Sequence, residues 1–159
     1  MSDIIFALAT TSDIQKLVAM KLAMFAESGH ADLLADNAKE LIEADYFALY
    51  KSELAQHFVA KSGTEIVSCT GAFLKSELPF RYFRHPLQGF IGDVYTYPSY
   101  RGRGLASQLA RTAMDWLTCH GAPMIRLLAS DTGRPIYEKL GFRASDEMVY
   151  VHQPIQHHE

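Results

Sequence analysis

Strand-type and helix-type segments alternate along this chain in an order that predicts a mixed α/β domain, a sheet with helices on both faces. Three observations carry that expectation. A short apolar run precedes two helical stretches. A strand meander fills the middle. Helix, strand, helix and strand then close the chain.

Residues 4–9, IIFALA, read as the first strand. Thr11 or Ser12 can cap the helix that begins near Asp13, with Gln15 placed for a capping box on Ser12. Ile14, Leu17, Val18, Lys21, Leu22 and Phe25 recur at helical spacing, and Gly29 ends that helix. Residues 32–50 give a second helical stretch through Leu33, Leu34, Ala38, Leu41, Ile42 and Phe47. Residues 57–61 and 65–74 flank the turn Ser62-Gly63-Thr64 and read as a hairpin. Residues 75–88 hold Pro79, Pro86 and several aromatics and read as a long loop. Residues 89–97 are β-rich, and Pro98 stops them.

Residues 104–120 are strongly amphipathic. Leu105, Leu109, Ala113, Trp116 and Leu117 share one face, and Gly121 terminates the helix. Residues 124–129 read as a buried strand. Ser130 or Asp131 can cap a short helix that runs to Leu140, with Gly141 at its end. Residues 148–152 read as a last strand, and the tail from His157 to Glu159 as frayed. No repeat, linker or low-complexity stretch divides residues 1–159, so one domain is expected.

Composition narrows the functional classes. Hydrophobic residues make up 48% and charged residues 21%, as in globular proteins, which excludes a disordered tail or a fibre. Fifteen basic against eighteen acidic residues leave a formal charge of −3, which disfavours general binding to nucleic acid or anionic membranes. The start of the chain lacks the charge and apolar pattern of a signal peptide, and no apolar run is long enough to span a bilayer. A cytoplasmic protein with two free thiols, Cys69 and Cys119, is the expectation. The histidines show no metal-ligand spacing, so no metal is expected.

The segment from Val94 to Ala106, VYTYPSYRGRGLA, carries chemistry. A strand ends, a glycine-rich turn follows, and a helix starts at once. The first amides of a helix lack internal partners, and the helix dipole adds partial positive charge there. Gly102 and Gly104 let an anion approach the backbone, and Arg101 and Arg103 add charge. Together these residues suit a phosphate. A plain turn that starts an ordinary helix is the simpler alternative. A Walker loop is absent, and a dinucleotide fingerprint lacks its third glycine.

Arg101-x-x-Gly104-x-Ala106 resembles the coenzyme A pyrophosphate loop of the GCN5-related N-acetyltransferase (GNAT) family, pattern Q/R-x-x-G-x-G/A. Residues 137–142, YEKLGF, resemble the family's Tyr-x-x-x-Gly-Phe signature, in the right order and one helix and one strand later. The resemblance spans at least residues 89–150. It implies a mixed, mostly antiparallel sheet whose strands around the loop splay apart to admit the pantetheine arm of acetyl-CoA. It implies that the backbone of Val94, Tyr95 and Thr96 binds that arm and polarises the thioester carbonyl. Amides from Arg101 through Gly102, Arg103, Gly104, Leu105 and Ala106 to Ser107 would bind the pyrophosphate. Ser130 stands where many relatives have an Asn that contacts the arm, although a helix cap explains it equally well. Tyr137 would act as general acid on the leaving thiolate.

The chemistry agrees with those roles. An alkyl ammonium, with a pKa of about 10.4, must lose a proton before it attacks. Attack builds an oxyanion, which fixed N–H donors stabilise. A phenol can then protonate the thiolate. Asp93 is the one acid on the strand that leads to the loop, where relatives often carry a basic carboxylate, with Gly92 where some have Glu; a solvated or hydrogen-bonded strand residue explains Asp93 equally well, and a water relay would also serve. The resemblance thus implies direct transfer from acetyl-CoA to a primary amine of a small molecule or protein, with a non-catalytic acyl-CoA sensor as the alternative. A homodimer is left open. The loop from Pro79 to His85, with Arg81 and Arg84, reads as scaffold or as a grip on an anionic acceptor.

Overall fold

The computed structural model describes residues 3–77 and 86–152. The loop from Pro79 to His85 and the tail from His157 lie outside them. Five strands form one sheet in the order β1-β2-β3-β4-β5. They are β1 (Ile4–Leu8), β2 (Ala55–Ser62), β3 (Glu65–Ser76), β4 (Leu87–Thr96) and β5 (Ile125–Leu127). The first four pair antiparallel, and β5 joins β4 in parallel. The sheet is therefore mixed and mostly antiparallel, as the sequence predicts.

Helices cover both faces. Helix α3 (Leu105–Cys119) packs its apolar stripe, Leu105, Leu109, Ala113 and Leu117, on Phe58, Val67, Ala72 and Ile91. Helices α1 (Ile14–Glu27) and α2 (Ala38–Lys51) cover the other face, where Ile14, Leu17, Val18, Met20 and Tyr46 meet Val59, Ile66, Cys69 and Tyr95. Leu109 and Leu117 are buried on the α3 side, each worth roughly 1.5–3 kcal/mol in removed apolar surface. The last helix, α4 (Arg134–Lys139), follows β5.

Several local expectations change. The first helix is entered through a 3-10 turn, Thr11–Asp13, capped by Thr10. The Thr10 N–H and hydroxyl both donate to Asp13, so the capping box joins Thr10 to Asp13 rather than Ser12 to Gln15. The second helical stretch is broken. A 3-10 turn covers Ala31–Leu33, Leu34 is extended, and α2 starts only at Ala38. The strand expected at 148–152 is not formed. Met148, Val149 and Tyr150 are 94%, 79% and 87% exposed, so no neighbouring strand supplies the ladder or the packing that a strand needs.

Candidate functional site: a parted strand pair, a bare loop and a buried carboxylate

Strand β4 is paired on both sides only at its start. Gly89, Phe90 and Ile91 pair with Ile125, Arg126 and Leu127 of β5, and the two strands part after that. On the β3 side the pairing continues to Thr96 with one irregularity. Gly92 faces Gly71 and Tyr95 faces Cys69, so Thr70 alone opposes Asp93 and Val94. This is a β-bulge. Asp93 is its left-handed residue, with φ at 55°.

The bulge reverses the parity of the strand. Before it, the Gly89 N–H points to the β5 side and donates to Met124 O at 2.9 Å. After it, the Tyr97 N–H points to the β3 side and donates to Val67 O at 3.0 Å. Alternation then turns the backbone of Val94 and Thr96 toward the gap, and the side chain of Tyr95 into the α1–α2 core. The Thr96 carbonyl, turned away from β3, accepts from Arg101 Nε at 2.8 Å.

Asp93 is buried, and both carboxylate oxygens are taken. Oδ1 accepts from Lys21 Nζ at 2.5 Å. Oδ2 accepts from the Tyr46 hydroxyl and from His57 Nε2, the latter at 2.9 Å. The Cys69 thiol donates to the Asp93 carbonyl. Farther out, the Tyr50 hydroxyl meets His57 Nδ1 at 2.7 Å. Burial alone would raise the Asp93 pKa. The hydrogen bond and charge of His57, then those of Lys21, outweigh it and hold the carboxyl well below the usual range. Burial and the facing carboxylate push Tyr46 well above an ordinary phenol. This carboxylate is a structural hub, buried and bonded through both oxygens.

The turn after β4 is built as the sequence expects. Gly102 and Gly104 both hold φ at 74°, and a Cβ at either would meet nothing within 4 Å. Both glycines are needed for their left-handed backbone. The Arg101 N–H bonds to Pro98 O and the Gln108 N–H to Gly104 O; between them, among the described residues, the amides of 102–107 find no backbone acceptor. Those groups sit at the positive end of α3. Leu105 is buried and anchors the helix start, Ala106 and Ser107 are half-buried, and Gly102 to Gly104 are exposed. A diphosphate fits this set of bare amides.

The two arginines are not free cations. Arg101 Nη2 lies 2.6 Å from Glu27 Oε1, and its guanidinium stands over the Tyr95 ring. Glu27 also accepts from the Tyr95 hydroxyl at 3.0 Å. The Arg101 hydrogen bond, then that of Tyr95, lowers the Glu27 pKa. Arg103 donates to Ser99 O at 3.2 Å and covers Tyr100.

Tyr137 lies on α4, 9% exposed, edge-on to Phe142 with ring centroids 6.0 Å apart. Burial raises its pKa. Its hydroxyl bonds to none of the described residues, which leaves the phenol proton available. Ser130 Oγ accepts from the Gly133 N–H at 3.1 Å, so the hydroxyl caps the turn into α4. No group of three or more metal-ligand side chains occurs among the described residues.

Sequence reasoning does not single out Lys21, Tyr46, His57 or Glu27. Lys21 interrupts the apolar stripe of α1, and His57 sits inside an apolar strand. A polar residue on a buried face is the one available sign that it has a partner there.

Comparison with known proteins agrees with this architecture. Residues 24–142 match the acetyltransferase (GNAT) family. An aminoglycoside N(6')-acetyltransferase type 1 of Salmonella typhimurium is 26% identical over 130 residues, 77% of this chain and 81% of that protein. A glucosamine 6-phosphate N-acetyltransferase of Trypanosoma brucei brucei is 39% identical over 61 residues, 38% of this chain; the match spans only 42% of that enzyme. The fold superposes on a predicted acetyltransferase from Clostridium acetobutylicum crystallised with acetyl-CoA, with a TM-score of 0.85 at 22% identity, covering 94% of this chain and 96% of that one. An aminoglycoside N-acetyltransferase in complex with CoA gives a TM-score of 0.75 at 14% identity, covering 98% and 97%.

Proposed function

The chain belongs to the acetyltransferase (GNAT) family, and from that premise we propose that it is an acetyl-CoA-dependent N-acetyltransferase acting on a small-molecule primary amine. The observation that carries this reading is the run of unpartnered amides at residues 102–107, set beside a strand that has parted from its neighbour. Acetyl-CoA supplies a thioester carbonyl open to attack by an amine. Every other task falls to this chain.

The amides of 102–107, at the dipole end of α3, hold the diphosphate. Arg101 and Arg103 keep the loop in shape through Glu27, Thr96 O and Ser99 O. The Val94 and Thr96 backbone faces the gap and offers fixed donors where negative charge grows. Such donors cost no reorganisation during the reaction, since the sheet already holds them.

Proton handling divides between two places. Tyr137 gives its proton to the departing sulfur, and a raised phenol pKa keeps that proton in place at neutral pH. Asp93, fully engaged and held below the usual carboxylate range, is a poor acceptor for the proton of an ammonium. A water relay takes that proton to solvent. Ser130 contributes by holding the turn that leads into α4, through the Gly133 N–H.

Two observations support a small amine as the acceptor. The relatives named above act on aminoglycosides and on glucosamine 6-phosphate. The segment from Asp32 to Asp45 carries Asp32, Asp36, Glu40, Glu43 and Asp45 against Lys39 alone, a field that draws polyamines toward α2. Among the described residues no helix is long and apolar enough to cross a membrane.

The test is thiol release from acetyl-CoA with a panel of aminoglycosides, amino sugars, polyamines and a lysine peptide. Release with a small amine is expected. Tight CoA binding without release for any amine would replace the enzyme by a non-catalytic acyl-CoA sensor, and release with the peptide alone would move the acceptor to protein.

A further inference from the structure

The buried cluster around Asp93 is larger than a simple strand needs. Its carboxylate gathers a lysine from α1, a tyrosine from α2 and a histidine from β2 onto one residue of β4. His57 is fully buried and Asp93 nearly so. Burying this many polar groups at one point is costly unless their geometry serves a purpose. The residue they converge on is also the one whose backbone departs from the strand.

Asp93 holds φ at 55° without being glycine. Only Glu53, just past the end of α2, shares that property among the described residues. Left-handed conformation disfavours a side chain and persists only where the surroundings over-determine it. A glycine at this position would avoid the strain but could not be tied to anything. The aspartate is tied to α1, α2 and β2 at once.

The backbone consequence lies next door. The bulge at Asp93 and Val94 makes the even-numbered residues Val94 and Thr96 face the gap between β4 and β5, where odd-numbered Gly89 faces β5 before it. A bulge that shifted or straightened would turn different backbone groups to the gap and drive the Tyr95 side chain out of its core.

From these relations we infer that Asp93 is a positioning residue: the Lys21–Tyr46–His57 clamp on its carboxylate locks the left-handed bulge of β4, and the bulge aims the Val94 and Thr96 backbone at the acyl-CoA. The inference rests on the acetyl-CoA reading given above. It also gives Lys21, Tyr46 and His57 a role in cofactor binding, although all three lie on the α1–α2 side of the sheet and act through Asp93.

Substitution at Asp93 separates a clamp from a base. Glycine keeps the left-handed backbone without any tie, asparagine tolerates it and can accept on its one amide oxygen only, and alanine does neither. CoA titration by calorimetry is expected to show weakening that grows in the order Asp93→Asn, Asp93→Gly, Asp93→Ala, from about threefold for asparagine to at least tenfold for alanine. Turnover should follow the same order, and the acidic limb of the pH–rate profile should stay in place in all active variants. The groups that face Asp93 from its neighbours, Lys21, Tyr46, His57 and Cys69, are unchanged in these proteins. Should Asp93→Ala fail to fold, Tyr46→Phe and Lys21→Met each remove one tie, and each should weaken CoA binding about three- to tenfold with the limb unmoved.

Wild-type CoA affinity in Asp93→Ala, with turnover lost equally in the glycine and alanine variants, would overturn the clamp and make Asp93 the proton acceptor. So would wild-type CoA affinity in both Tyr46→Phe and Lys21→Met. Failure of the wild type itself to bind CoA would overturn the functional reading instead. The clamp is then judged by amide hydrogen exchange at Val94 to Thr96, which must be faster in Asp93→Ala than in Asp93→Gly.

Discussion

Arg101, in the turn before α3, and Glu27, the last residue of α1, form an ion pair with Nη2 and Oε1 2.6 Å apart. The same carboxylate accepts from Tyr95 on β4. One exposed acid thus joins the end of the first helix, the strand that borders the gap and the turn proposed to hold the diphosphate.

Removing that acid should loosen the loop without dismantling it. Both partners are nearly half-exposed, so solvent and salt screen the pair. Glu27→Gln is expected to raise the Kd for CoA about two- to fivefold at low salt, with the gap between variant and wild type shrinking as salt rises. Calorimetry across an ionic-strength series checks this. The Glu27 pKa is lowered in the folded state, so the pair contributes fully above the ordinary carboxylate range and is lost as pH falls through and below it. The two proteins should therefore converge in acid.

Gly104 should tolerate substitution poorly for a backbone reason. A Cβ there meets open space, so no steric clash within the protein arises. The φ of 74° is the obstacle, and a β-branched residue pays the largest penalty. Gly104→Val is expected to weaken CoA binding at least tenfold, and Gly104→Asn distinctly less. Equal affinity in the valine variant and the wild type would remove the diphosphate from this turn.

Tyr137→Phe isolates proton donation. The phenol is buried, its hydroxyl bonds to none of the described residues, and the ring contact with Phe142 survives the change. Turnover should fall about 100-fold, within the range for loss of a general acid, while CoA affinity stays within about threefold. The raised phenol pKa means the donor stays protonated across the neutral range, so no basic limb from this group should appear there. Single-turnover kinetics between pH 6 and 10 decide the point.

Asp93 should also report on acid stability. Its carboxyl is held below the usual range in the fold, so its contribution is complete above the unfolded-state pKa and disappears as pH drops through and below that value. Asp93→Asn leaves the Lys21 ammonium without its counter-charge, a loss of about 3–5 kcal/mol by the usual size for a broken buried pair. Urea titrations should show that difference at pH 7 and a progressively smaller one as pH falls below the ordinary carboxylate range.

The element order as far as α4, the two-faced sheet, the amphipathic α3 and the turn at 101–107 were all legible in the chain. Those features rest on local rules: the periodicity of Leu105, Leu109, Ala113 and Leu117, and glycines placed where φ must be positive. The cap at Thr10 rather than Ser12, the break before α2 and the unformed strand at 148–152 were not, because a few residues of local pattern do not say whether a neighbour will be present to complete a hydrogen bond or a ladder.

The chain alone determined that a strand would run into a bare, glycine-rich helix start, since neighbouring residues suffice for that. Tertiary structure decided what Asp93 does. Lys21, Tyr46 and His57 stand 72, 47 and 36 positions away in sequence, and only packing of α1, α2 and β2 on β4 brings them to one carboxylate, turning a residue that looks like a free base into a tethered one.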